Sequence, residues 1–382
     1  MSVRWLVVGA GAAGCALAAE LATTGDGMVT LLEAGPADRP SAIDSPSFFD
    51  ALATPGRTYP GPHRRGRGLG GSSAINGMVA GRAWAAGLPI EPVGDDEVGP
   101  VGDALRRAVS GAEPVRLIRH GGHRVTADDH FLSGLPADRF QLRAGADVTS
   151  IVVEDGRATG VVLSDGEQIM GDAIAVCAGA IGTPGILLRS GITDGVGDGL
   201  RNHPGVPILL RRTGDPVDPH SPPITVNWRH GDVDVLAVEH LGPEEPGWAM
   251  LLTVAMTTSS SGRVRLDPQD PGGPPLVEWD LDPSDRARLA RSALRTTGAL
   301  EHPAFAAIVG EVVIGDGPAG VFHWASTCAI GRVLDDDGAV RGIERLFVAD
   351  ASAFAELPVE HLMLPTIAMA RRLGARLGAR VW

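Results

Sequence analysis

The chain has 382 residues, a net charge of −13, 44% hydrophobic and 21% charged residues, and a mean hydropathy of +0.08. This excludes a disordered chain, and the length calls for two intimately joined domains rather than one core. The acidic balance argues against nucleic acid or an anionic membrane as partner, and no uninterrupted apolar run reaches membrane-spanning length, since Ala173–Leu188 is broken by Gly179, Gly182, Pro184 and Gly185.

Val3–Val8 is an apolar, β-branched run ending on Gly9-Ala10-Gly11-Ala12-Ala13-Gly14, so the glycines fall where a strand must turn tightly into a helix. Gly9 permits the turn, Gly11 leaves room for a pyrophosphate, and Gly14 lets a helix expected over Gly14–Leu21 pack closely on the sheet. Free N–H groups at that helix start, beside Ala12 and Ala13, complement phosphate. A second strand, Met28–Leu32, ends on Glu33, 19 residues beyond Gly14, followed by Ala34. At this spacing an acid accepts hydrogen bonds from an adenosine ribose, so the unit is expected to bind a dinucleotide. Arg4, the uncharged run to Ala19 and Cys15 could also pass for a secretory or lipoprotein leader, but no leader needs the strand ending on Glu33. Cys15, Cys177 and Cys328 lack metal-ligand spacing and are expected to be buried thiols in a reducing cytoplasm, with no metal.

Pro36–Pro60 reads as loop with a short helix near Ser47–Leu52. The following Arg64–Met78 is dense in glycine, hydroxyls and arginine. Glycines let the chain pass close to a flat ring or a pyrophosphate, and guanidinium and N–H groups complement anionic oxygens. Within it, Arg65-Gly66-Arg67-Gly68-Leu69-Gly70-Gly71-Ser72-Ser73-Ala74-Ile75-Asn76-Gly77 resembles the first hallmark of the glucose-methanol-choline (GMC) family of FAD-dependent oxidoreductases. The resemblance implies a Rossmann-like α/β domain binding FAD and a second, α+β substrate domain on a mostly antiparallel sheet, an architecture like that of p-hydroxybenzoate hydroxylase. It sets Arg67, Leu69, Gly70, Gly71, Ser72, Asn76, Gly77, Met78 and Val79 against the cofactor. Relatives with covalent flavin carry a histidine where this chain has Ile75, so non-covalent FAD is implied.

Ala83–Ser133 is shorter than the family's insertion and offers one helix, Val101–Ser110. Phe140–Val148, Ser150–Glu154, Thr159–Leu163 and Ala173–Val176 read as strands, with turns at Asp155-Gly156 and Asp165-Gly166. By resemblance Val148 lies beside the adenine. Gly179–Ile192 resembles the second hallmark, bringing Ala178 and Gly179 to the cofactor, and departs from it at Thr193, where glycine is usual. Asn202-His203-Pro204 matches the element at which the family's chain leaves the cofactor domain. Ile208–Arg212, Ile224–Trp228, Val233–Val238, Met250–Met256 and Arg263–Leu266 then read as a mostly antiparallel sheet, followed by a helix over Asp282–Ala299. The expected division is 1–82, 137–205 and 320–382 for the FAD-binding domain, and 83–136 and 206–319 for the substrate domain.

The last sixty residues return to the cofactor, with a strand over Arg345–Asp350 and a helix from about Pro365 to Leu377. By resemblance Asp350, Ala351, His361, Leu362 and Thr366 border FAD, and the helix N-terminus faces the flavin N1 and C2 carbonyl, where reduction leaves negative charge. His323 and His361 occupy the positions of the family's catalytic pair. Oxidising a carbinol requires loss of a hydroxyl proton and of a hydride to flavin N5, so a group titrating near neutrality must reach the hydroxyl. His323 is expected to be the base and His361 to orient the alkoxide. Trp324 replaces the usual proline and is expected to narrow the pocket. The expected activity is FAD-dependent oxidation of a primary or secondary alcohol. A lyase or decarboxylase on the same fold, or a dinucleotide-binding protein without redox activity, are the alternatives. Oxygen, a quinone and a redox protein are all compatible with the sequence as electron acceptor.

Overall fold

The computed structural model describes residues 2–81, 86–315 and 319–380, with backbone alone at 319–320; Ala83, where the shortened segment was expected to begin, lies outside them. Five parallel strands form one sheet in the order Leu346–Val348, Ala173–Val176, Arg4–Val8, Met28–Glu33, Phe140–Ala144. Val7, Leu31, Ile174 and Val348 are fully buried, as befits a parallel sheet covered on both faces. The helix Ala12–Thr24, rich in Ala and Leu, packs against the final helix, Met363–Gly378. The latter buries Leu364, Ile367, Ala370, Leu373 and Leu377 along one stripe. Phe140–Ala144 ends earlier than expected because Gly145 turns the chain at φ 71°. Val148 instead opens the strand Val148–Glu154, which pairs with Arg157–Leu163 and through it with Gln168–Met170.

A seven-stranded sheet forms the other half. Its order is Val309–Ile314, Pro204–Arg212, Trp248–Ala255, Val233–Val238, Ile224–His230 and Ala112–Pro114, with Ala319–Gly320 paired to the start of Pro204–Arg212. All of these pairings are antiparallel. The helix Pro283–Ala299 starts at Asp282, whose carboxylate accepts the Ser284 N–H at 2.8 Å, and it lies on Pro204–Arg212 and Trp248–Ala255. The strand expected at Arg263–Leu266 does not join this sheet. As Gly262–Arg265 it pairs with Asp198–Leu200 and Leu276–Trp279. Buried Asp285 gathers the Thr258 hydroxyl and the Ser259 and Ser260 N–H groups on one oxygen, which turns the chain away from the sheet after Met256.

Parts of the shortened segment contact elements of both sheets' surroundings. Pro100–Ala108 packs on Ile224–His230 and Ala112–Pro114 extends the large sheet, whereas Ala127–Leu132 packs on Ala12–Thr24. Among the described residues no helix is long and apolar enough to cross a membrane.

Candidate active site

A cavity of about 870 Å³ opens at the carboxyl ends of the parallel strands, and its far wall is the large antiparallel sheet. Gly9 sits at φ 100°, and a Cβ there would lie 2.7 Å from the Cys177 carbonyl. A Cβ on Gly14 would meet the Gly9 carbonyl at 1.8 Å, so this glycine seats the helix against the turn. A Cβ on Gly11 would meet no protein atom within 4 Å, since Gly11 faces the open cavity. Gly71, at φ 50°, would with a Cβ touch Gly11 Cα at 2.8 Å, so the arginine-glycine loop lies directly on the phosphate turn.

Glu33 joins these parts. Its oxygens accept the N–H groups of Ala10 at 2.8 Å, Gly35 at 2.8 Å and Gly68 at 2.9 Å. A carboxylate has about four lone-pair sites, so one stays open toward the cavity that Glu33 and Ala34 line. Asp350 is similarly committed: one oxygen takes the Gly179 N–H at 2.7 Å and the Thr183 hydroxyl at 2.5 Å, the other the Ser352 N–H at 2.8 Å. Burial pushes its pKa up, against these hydrogen bonds. The Asn76 side chain accepts the N–H of Met78, which is held at φ 58°, and donates to Met363 Sδ, tying the loop to the final helix.

Arg67, Ser72, Gly77, Val79, Ala12, Ala13, Val148, Ala178, Ala351, Leu362 and Thr366 also line the cavity. Gly14, Leu69 and Gly70 stand behind the wall, where Gly70 bridges to Gly11 and Leu69 packs on the core. Sequence reading passed over Tyr59; the guanidinium carbon of Arg65, from the arginine-glycine stretch, stands 4.4 Å from its ring centroid inside the same wall. Burial pushes the Tyr59 phenol up to about 12.

At the other end His323 and His361 meet, ring centroids 5.3 Å apart and nearly perpendicular. Burial, then the neighbouring imidazoles of His203 and His361, hold the His323 pKa well below the ordinary imidazole value. His361 Nε2 lies 3.5 Å from an oxygen of Asp234, a buried carboxylate that also accepts from Asn227 at 2.9 Å. Burial alone would raise the Asp234 pKa; the contacts with His361 and Asn227 outweigh it and leave it lowered. Trp324 is buried edge-on to His63 and Trp279, at 5.3 and 5.9 Å, and forms part of the wall. A third imidazole, His203, lies 2.8 Å from His323, Nδ1 to Nδ1. In the sequence it marked only a boundary, because its nearness depends on the register between residues 201–203 and 323–325.

Sequence models of the GMC oxidoreductases match residues 258–370 and 85–205. The chain belongs to the GMC oxidoreductase family. An uncharacterised GMC-type oxidoreductase of Rhodococcus erythropolis is 26% identical, with 97% of each chain covered. The oxygen-dependent choline dehydrogenase of Chromohalobacter salexigens is 24% identical, with 98% of this chain and 95% of that one covered. Among solved structures, pyridoxine 4-oxidase from Mesorbium loti is similar with a TM-score of 0.87 at 20% identity, covering 100% of both chains. Formate oxidase reaches 0.85 at 16%, covering 98% of each. The Rhodococcus alignment runs over 487 positions against 382 residues here, so more than a hundred of them face a gap in this GMC oxidoreductase.

FAD is its cofactor, and the cavity suits it. The helices starting at Ala12, Gly179 and Met363 have no side-chain cap, and their capping residues Gly11, Ala178 and Leu362 all line the cavity. The starts at Ala12 and Met363 thus turn N–H groups and positive dipole ends toward the space where a cofactor's pyrophosphate and an electron-rich ring would be held, while Asp350 already accepts the Gly179 N–H. Gly11 and Gly179 leave open the space a side chain would fill.

Proposed function

We propose that this GMC oxidoreductase oxidises alcohols with an apolar carbon skeleton, His323 taking the hydroxyl proton and His361 orienting the oxygen. The juxtaposition of the two imidazoles on one cavity carries this reading. His323 is unprotonated at neutral pH because burial and two neighbouring imidazoles disfavour its cation, so its lone pair is available to the hydroxyl proton. The His361 ring edge stands close enough for one hydroxyl oxygen to reach both rings. Bound FAD supplies the two-electron acceptor for the hydride that leaves the carbinol carbon.

The chain's own groups would hold FAD with Gly11 and Gly71 at the pyrophosphate, Glu33 at the ribose, Val148 at the adenine and the start of the final helix at the flavin ring. Ile75 offers no nucleophile to that ring, which supports non-covalent attachment. The discontinuous division into cofactor and substrate domains remains part of this proposal.

The substrate class follows from the far wall. Pro207, Ile224, Leu236, Met250 and Leu252 project from the large sheet, with Phe48 beside them, so this face excludes water and attracts hydrocarbon. None of these residues bears a carboxylate to hold a cationic head group, which disfavours alcohols of the choline type.

The test is anaerobic mixing in the dark with a panel of aliphatic and benzylic alcohols and choline, following the loss of flavin absorbance. Apolar alcohols should bleach it well ahead of choline, and His323→Ala should slow bleaching on the order of a hundredfold while FAD stays bound. Unchanged bleaching in that variant would refute the role of His323, and a preference for choline would refute the substrate class.

A further inference from the structure

We propose that His203 is a positioning residue: it accepts the Nδ1 proton of His323 and so leaves Nε2 of His323 as the unprotonated nitrogen presented to the substrate. This rests on the reading of His323 as base. The two Nδ1 atoms are 2.8 Å apart, a distance at which one proton lies between them and belongs to one ring. The place of His323 decides which. It lines the cavity while its Nδ1 is taken up by His203, so Nε2 is the nitrogen left for a substrate hydroxyl. A neutral imidazole carries one proton, and a base needs its lone pair on the nitrogen that meets the substrate. His323 must then donate from Nδ1, and the wholly buried His203 accepts at its own Nδ1.

The register of the chain holds this arrangement. Arg201 and Ala325 exchange both main-chain hydrogen bonds at 3.0 Å, the Asn202 side chain accepts the His323 N–H at 2.8 Å, and the Val321 N–H reaches the His203 carbonyl at 3.4 Å. His323 is therefore gripped through its backbone by Asn202 and through its ring by His203. Phe322 and Ser326 flank this segment at φ 59° and 73°, a region that L side chains rarely adopt, which is expected where the surroundings dictate the path. Burial, followed by the charge of His361, pushes His203 down to about 3, so it acts as a neutral acceptor and takes no proton in turnover. The only proton moved is the substrate's, onto His323 Nε2.

The experiment uses the FAD-loaded protein with ¹⁵N-labelled histidine, His323 being assigned by its absence in His323→Ala. Nitrogen shifts should show His323 protonated at Nδ1. In His203→Leu that preference should be lost and the limiting rate of flavin reduction should fall by roughly 10- to 100-fold, the range for partners that orient a reacting imidazole, with alcohol affinity little changed. His203→Asn, whose side-chain oxygen can stand where Nδ1 stood, should restore most of the rate and the tautomer. An Nε2-protonated His323 in the unaltered protein overturns the proposal whatever the variants do. So does a His203→Leu protein with unchanged rate and tautomer, or an Asn variant no better than Leu. If His323→Ala keeps its rate, the base assignment itself fails; if that variant slows and His203→Leu does not, only the role of His203 fails.

Discussion

His323 stays neutral not through distance from charge but because it is crowded by rings: His203 on one side and His361 on the other, with Asp234 beyond His361. The consequence for pH can be worked out. Burial penalises the imidazolium, so the folded pKa lies below the ordinary value of about 6.5. The proposed base is then unprotonated above that lowered pKa and is lost only as pH falls through it. Flavin reduction by alcohol, followed by stopped flow from acid to alkaline pH, should therefore hold level through pH 6.5 and decline below it. A decline centred at or above 6.5 would show that His323 is not shielded in this way.

Among the elements, the phosphate turn separates folding from binding. Gly11 has open space where a side chain would point, whereas the same addition at Gly14 drives into the Gly9 carbonyl. Gly11→Ala should leave the cofactor-free protein as stable as the parent to within about 0.5 kcal/mol while weakening FAD binding at least tenfold. Gly14→Ala should lower the stability of the cofactor-free protein itself, by about 1–3 kcal/mol. Urea unfolding and FAD titration of both variants check this; equal stabilities would mean the two glycines do the same work. The contrast was legible in the residues, because a strand, three spaced glycines and an acid specify a local unit whose parts lie within 33 residues. The strand Ile208–Arg212 was legible for the same reason, since its buried residues Ile208 and Leu210 recur every second position, whereas Val233–Val238 is buried along its whole length. Gly262–Arg265 carried an equally good strand signal but not its partners, which depend on the anchoring of Ser259 and Ser260 by Asp285. Asp234 had no local signal and that of His203 marked only a boundary, as each meets its active-site imidazole across more than a hundred positions.

On the scale of the molecule, the two sheets share one cavity, and a ligand in that cavity touches both. FAD should thus stabilise the whole fold as a unit, by about 2.7 kcal/mol when free FAD stands at a hundred times its dissociation constant. Thermal unfolding with and without added FAD should show a single transition moving upward, and Gly11→Ala, binding about tenfold more weakly, should remove about half of the increment. Two transitions, of which only one responds, would mean that the halves unfold independently.

The pairing of residues 201–203 with 323–325 lies next to the point where the chain enters the large sheet, since Pro204–Arg212 begins immediately after His203. The seam between the halves is thus also the mounting of the proposed proton acceptor. Any force that pries the halves apart, whether a wedge-shaped inhibitor or partial thermal loosening, should misalign that nitrogen before the cofactor is released, so loss of turnover would be the first sign that the seam had opened.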